Sequence, residues 1–156
     1  MSSNELQRLR ERVNRVIELA GKVEEPEAKS DLACFACVLT SAMIEVACRH
    51  YVGRYVEKRA SPAILNYVRR KLYYFQNAKT EEIDDLLRGF TASLADAFST
   101  AIGGEGKDAI DSVVNNKNQL VHGKGAGLGL DTMERYLKDV LRAIDSLRDM
   151  LCNPAS

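Results

Sequence analysis

The amino-acid sequence predicts an all-α fold, a single-domain bundle of about six helices. Three observations predict it. Apolar residues recur at three- and four-residue spacing through most of the chain. Only three prolines occur, and two of them stand at or just before predicted helix starts. No stretch carries strand signals. A chain of 156 residues fits one domain around a single core.

Each helix has its own justification. Residues 3 to 22 place Leu6, Leu9, Val13, Val16, Ile17 and Ala20 on one stripe, and Gly21 and Glu24-Glu25-Pro26 punctuate it. A second helix is predicted from about Ala28 to about Arg59. Between Leu32 and Cys48 it is apolar nearly all round, which marks the central buried element. Ser61-Pro62 supplies an N-cap and a first-turn proline for a third helix carrying Ile64, Leu65, Val68, Leu72 and Phe75. Thr80 is the expected cap of a fourth, with Glu81 and Glu82 in its first turn. Its apolar face runs from Ile83, Leu86 and Leu87 through Phe90, Leu94 and Phe98, and Gly103-Gly104 breaks it. A fifth helix from about Lys107 brings Ile110, Val113 and Val114 to the core and stops near Gly123. Four glycines within residues 123–129 require a loop, without the Gly-Lys-Ser/Thr end or preceding strand of a phosphate-cradling loop. Asp131 and Glu134 have capping-box spacing for the last helix, whose seam is Met133, Leu137, Val140, Ile144, Leu147 and Leu151. Short connections favour antiparallel neighbours.

Composition narrows the function classes. Lys plus Arg is 22 and Asp plus Glu is 22, a formal net charge of zero. That argues against a protein held to nucleic acid by charge alone and leaves room for a local basic patch. The expectation is that no segment is long and apolar enough to cross a membrane. The N-terminal residues lack an apolar signal core, so a cytoplasmic chain with reduced thiols is expected. Cys34-x-x-Cys37 has no second pair to complete a metal site, and with Cys48 it falls in the apolar helix, where free cysteine packs as a small hydrophobe. Cys152 lies near the C-terminus. Neither His50 nor His122 follows a Glu at three residues, which removes a di-iron bundle. No G-x-S-x-G elbow points to a serine hydrolase. No cofactor and no metal are expected.

The polar segment Asn115–Gly123 holds the candidate chemistry. A histidine can give and take protons near neutral pH, and His122 stands five residues after Lys117, a cation suited to a phosphate. On a helix Asn115, Asn118 and His122 share a face. Lys117 points roughly 140° from His122 on an ideal helix, so its long side chain or local unwinding must bring the two together. The alternative is a solvated helix end, with His122 satisfying the last carbonyls beside a C-cap Gly123. Glu45 interrupts the apolar run of the second helix and needs a partner; Arg49, four residues on, is one candidate. Basic and aromatic residues interleave in Arg54, Tyr55, Lys58 and Arg59 and again in Arg69, Arg70, Lys71, Tyr73 and Tyr74. Arg69, Arg70 and Lys71 are candidates for phosphate contacts to RNA, or else form a solvated helix face. His50 is assigned to packing or to the surface.

The run Lys117-Asn118-Gln119-Leu120-Val121-His122-Gly123 resembles the signature of the HEPN superfamily, with Lys117 where that family has Arg. The Asn-x-x-x-His-Gly ending is close to the branch fused to L-PSP-type ribonuclease domains. The resemblance implies a helical bundle and a metal-independent endoribonuclease that leaves a 2′,3′-cyclic phosphate and a 5′-hydroxyl. It implies that His122 is the general acid or base, that Lys117 binds the phosphate, and that Asn118 orients the phosphate or the histidine. It also implies a homodimer with two motifs lining one cleft, and Glu45 near that cleft, orienting His122 or Lys117. The competing expectations are a non-catalytic dimerisation or RNA-binding module, and a toxin-type domain silenced by a partner protein.

Overall fold

A computed structural model describes residues 3–125 and 127–153. Among them are six helices and no strand: α1 Ser3–Lys22, α2 Pro26–Glu57, α3 Pro62–Tyr73, α4 Thr80–Arg88, α5 Ala92–Val121 and α6 Leu130–Cys152. The all-α bundle expected from the periodicity is what the chain forms. Ala126, inside the predicted glycine loop, lies outside the described residues.

The centre is α2. Its start is fixed by Glu25, whose carboxylate accepts from the backbone N–H of Glu27 at 3.1 Å and Ala28 at 2.6 Å, while Pro26 takes the first helical position. The helix therefore begins two residues before Ala28. Over 32 residues it spans about 48 Å. It packs against α1, α3, α5 and α6, which explains why it is apolar nearly all round. That corrects one expectation: by length and composition α2 is long and apolar enough to cross a membrane. Here its apolar side chains, Met43, Ile44 and Val52 among them, join a core with Ile83 and Leu87 of α4, Ile110, Val113 and Val114 of α5, and Met133, Val140 and Leu151 of α6. All four cysteines are free. Burial pushes the thiols of Cys37 and Cys48 up to about 12, as suits core packing.

Three predicted boundaries differ. Thr80 does not cap α4: Lys79 holds that position, and Thr80 is the first residue of the helix. Thr80 turns to Asp111 on α5, donating its backbone N–H at 2.8 Å and its hydroxyl at 2.9 Å, and Lys107 donates to both Thr80 Oγ1 and Asp111 at 3.0 Å. The apolar stripe from Ile83 to Phe98 belongs to two helices, because Gly89–Thr91 interrupts it and the Thr91 hydroxyl caps α5 by accepting from Leu94 N–H at 3.2 Å. Gly103 does break the pattern, as expected: at φ 62° and ψ −171° its backbone is non-helical, and α5 consists of two helical segments that meet there at a kink. At the start of α6, Gly129 takes the N-cap position with no side-chain cap, so the Asp131–Glu134 box is not formed.

Candidate functional site

Val113 and Val114 are fully buried and anchor the last turns of α5 in the core. The polar residues beyond them emerge at its end. Lys117 is half-buried, and its Nζ donates to Asn77 Oδ1 at 2.7 Å. Asn77 sits between α3 and α4 with φ 52°, a left-handed conformation that asparagine tolerates better than other L residues. Its backbone N–H donates to Glu45 Oε1 of α2 at 2.9 Å. Glu45, Asn77 and Lys117 thus tie α2, the α3–α4 connection and α5 together. Asn77 was not legible as a member of this group; a lone Asn in a short connection is only a turn signal.

Glu45 therefore does not pair with Arg49. Arg49 donates Nη1 to the Phe75 carbonyl at 3.2 Å instead. The segment from Phe75 to Asn77 crosses this face of α2, and its backbone groups take the acid and the base separately.

His122 is the C-cap residue of α5, and its ring is exposed. The cap is made by backbone alone. Gly123 adopts φ 72°, its N–H reaches the Leu120 carbonyl at 3.1 Å, and the Lys124 N–H reaches the Gln119 carbonyl at 2.9 Å. These are the two bonds of a Schellman motif. The imidazole is not needed to satisfy the last carbonyls, and it makes no hydrogen bond or ion pair among the described residues. Asn118 is half-buried on the same face, and its carbonyl accepts the His122 N–H at 3.3 Å.

The helix stays wound between Lys117 and His122. The two are offset by roughly 7.5 Å along the axis and by roughly 140° around it. No hydrogen bond joins them, and the lysine is engaged toward α2 while the histidine faces solvent.

Arg69, Arg70 and Lys71 follow one another on α3, each with its own surroundings. Arg69 pairs with Glu57 of α2 at 3.6 Å, Arg70 is exposed, and the Lys71 ammonium lies 5.5 Å from the Tyr67 ring centroid. The interleaved Tyr55 and Arg59 stack on one another, with 3.9 Å between guanidinium carbon and ring centroid. His50 is half-buried with its ring edge against Tyr51, beside a cluster of arginines. Among the described residues no group of three or more His, Cys, Asp or Glu is arranged to hold a metal ion.

No protein-family model, no curated protein and no solved structure matches the chain. The class that fold and site define is a helical bundle presenting a histidine at a backbone-capped helix end.

Proposed function

We propose that this chain is a HEPN-like endoribonuclease that cleaves RNA without a metal ion. The observation that carries the reading is the His122 imidazole: exposed, unused by its own helix cap, and set five residues beyond a half-buried lysine. In the reaction the ribose 2′-oxygen bonds to the adjacent phosphorus while the bond from phosphorus to the 5′-oxygen breaks. The 2′-hydroxyl proton leaves to a base, and the departing 5′-oxygen gains a proton from an acid. His122 performs one of these transfers, and Lys117 stabilises the charge on the phosphate. One protomer brings one such histidine, so a symmetric homodimer supplies the other from its second His122. Asn118 supports the imidazole from the same helix face, and Glu45 steadies Lys117 through Asn77.

The test is incubation of RNA with the purified chain in excess chelator, followed by analysis of the new ends. Cyclic phosphate and 5′-hydroxyl ends that vanish with His122→Ala are expected. Cleavage that requires added metal, or that survives His122→Ala, refutes the reading.

A second reading has its own support in the 2.7 Å bond from Lys117 to Asn77, which occupies the ammonium with a structural partner. A non-catalytic RNA-binding or dimerisation module needs nothing more of that lysine. RNA binding with no cleavage by wild type or by Lys117→Arg decides for it.

A further inference from the structure

A concentration of positive charge lies in a concavity of about 310 Å3 between α2 and α3, lined by Arg49, His50, Gly53, Arg54, Arg69 and Leu72. Three guanidinium groups meet there. Among the described residues their ion pairs all go to one carboxylate, Glu57, at 3.3 Å from Arg54 and 3.6 Å from Arg69. Three positive charges against one negative leave two in excess. Arg49, at the inner wall, spends Nη1 on the Phe75 carbonyl, and its buried Nε has no hydrogen-bond partner among the described residues. A buried, unsatisfied guanidinium donor is costly unless something accepts from it.

Gly53 gives an independent indication. It is buried in the interior of α2, where glycine is a poor helix former. Yet a Cβ built there meets nothing within 4 Å apart from its own stretch of helix backbone. The residue leaves open space beneath the arginines, and no neighbouring side chain fills it.

We propose that this pocket binds a phosphate monoester. Two excess positive charges match a phosphate dianion, and guanidinium forks bind phosphate oxygens in pairs, as lysine cannot. The volume lies at the lower end of the range for small-molecule sites, so a phosphate with a sugar-sized attachment is the fitting class. The monoester comes either from a mononucleotide or from the 5′-terminal phosphate of an RNA. None of the residues that line the pocket is among those that the proposed cleavage uses. The proposal therefore stands without the ribonuclease reading.

The experiment is calorimetric titration of the full chain, in buffer free of phosphate and sulfate, with inorganic phosphate, 5′-AMP, adenosine, and one RNA oligonucleotide carrying a 5′-phosphate or a 5′-hydroxyl. Binding of 5′-AMP but not adenosine supports a mononucleotide site. Preference for the 5′-phosphorylated RNA, with 5′-AMP silent, supports an RNA-end site. Arg69→Gln should weaken binding about tenfold or more. Gly53→Leu fills the floor with a better helix former, so it should abolish binding while the thermal midpoint holds or rises. Equal affinity for adenosine and 5′-AMP overturns the proposal. So does undiminished affinity in a folded Gly53→Leu chain, or silence toward every phosphorylated probe.

Discussion

The bond between Lys117 and Asn77 should be measurable as a coupling free energy. The perturbation is a double-mutant cycle of Lys117→Met and Asn77→Gly. At 2.7 Å the bond is charge-assisted, a kind worth about 1.5–3 kcal/mol when buried. Lys117 is only half-buried and Asn77 is exposed, so solvent screening reduces the expected coupling to about 1 kcal/mol. Glycine is chosen at position 77 because φ is 52°, where it adds no backbone strain. Asn77→Ala, which does add that strain, should cost about 1 kcal/mol more than Asn77→Gly. The assay is urea unfolding of the four proteins, with stabilities compared at constant m. Additivity within about 0.3 kcal/mol would show that the ammonium is not held by Asn77 in solution. The account of Lys117 as a residue tied toward α2 would then fall.

The remaining predictions follow from single contacts. His122→Ala should leave stability within about 0.5 kcal/mol of wild type, because the α5 cap is backbone-made, whereas Gly123→Ala should cost about 1 kcal/mol for its φ of 72°; thermal denaturation compares the two. Under the nuclease proposal Lys117→Arg should raise RNA cleavage over wild type and Lys117→Ala should lower it, on the order of 10²–10³-fold, as read by initial rates in chelator. Light scattering over a concentration series should find a dimer, and a monomer at high micromolar concentration would remove the two-histidine mechanism. Burial alone would raise the Asp111 carboxyl, but the Thr80 N–H and hydroxyl and the Lys107 ammonium outweigh it and hold it below the usual carboxylate range. A depressed folded-state value means that its stabilisation is present above the unfolded value near 3.9 and is lost as pH falls through the folded value. Acid unfolding of Asp111→Asn should accordingly show a shallower loss of stability than wild type below about pH 4.

The bundle was legible because its signals are local and repeated. The seam from Met133 to Leu151 and the face from Ile110 to Val114 are buried where three- and four-residue spacing put them. Boundaries were less legible because a capping residue can be claimed by a distant partner. Thr80 has the right chemistry to cap α4, but the Asp111 carboxylate, 31 residues away, takes its hydroxyl. The stripe through Phe90 and Phe98 does not reveal its break, since an apolar face shared by two consecutive helices keeps its phase across a tight turn. At the candidate site the helix end and the solvent-facing histidine were within reach of the sequence, while the partners of the charges were not. Spacing along α2 offers Arg49 to Glu45, but no periodicity announces that Phe75–Asn77 will cross that face and separate them. The same crossing carries the Asn77 amide to Lys117 and leaves Arg49 turned toward the arginine pocket. One three-residue stretch of backbone thus decides how the basic groups along α2 and α5 are used, tethering Lys117 at one end and leaving the Arg49 guanidinium with an unfilled donor at the other.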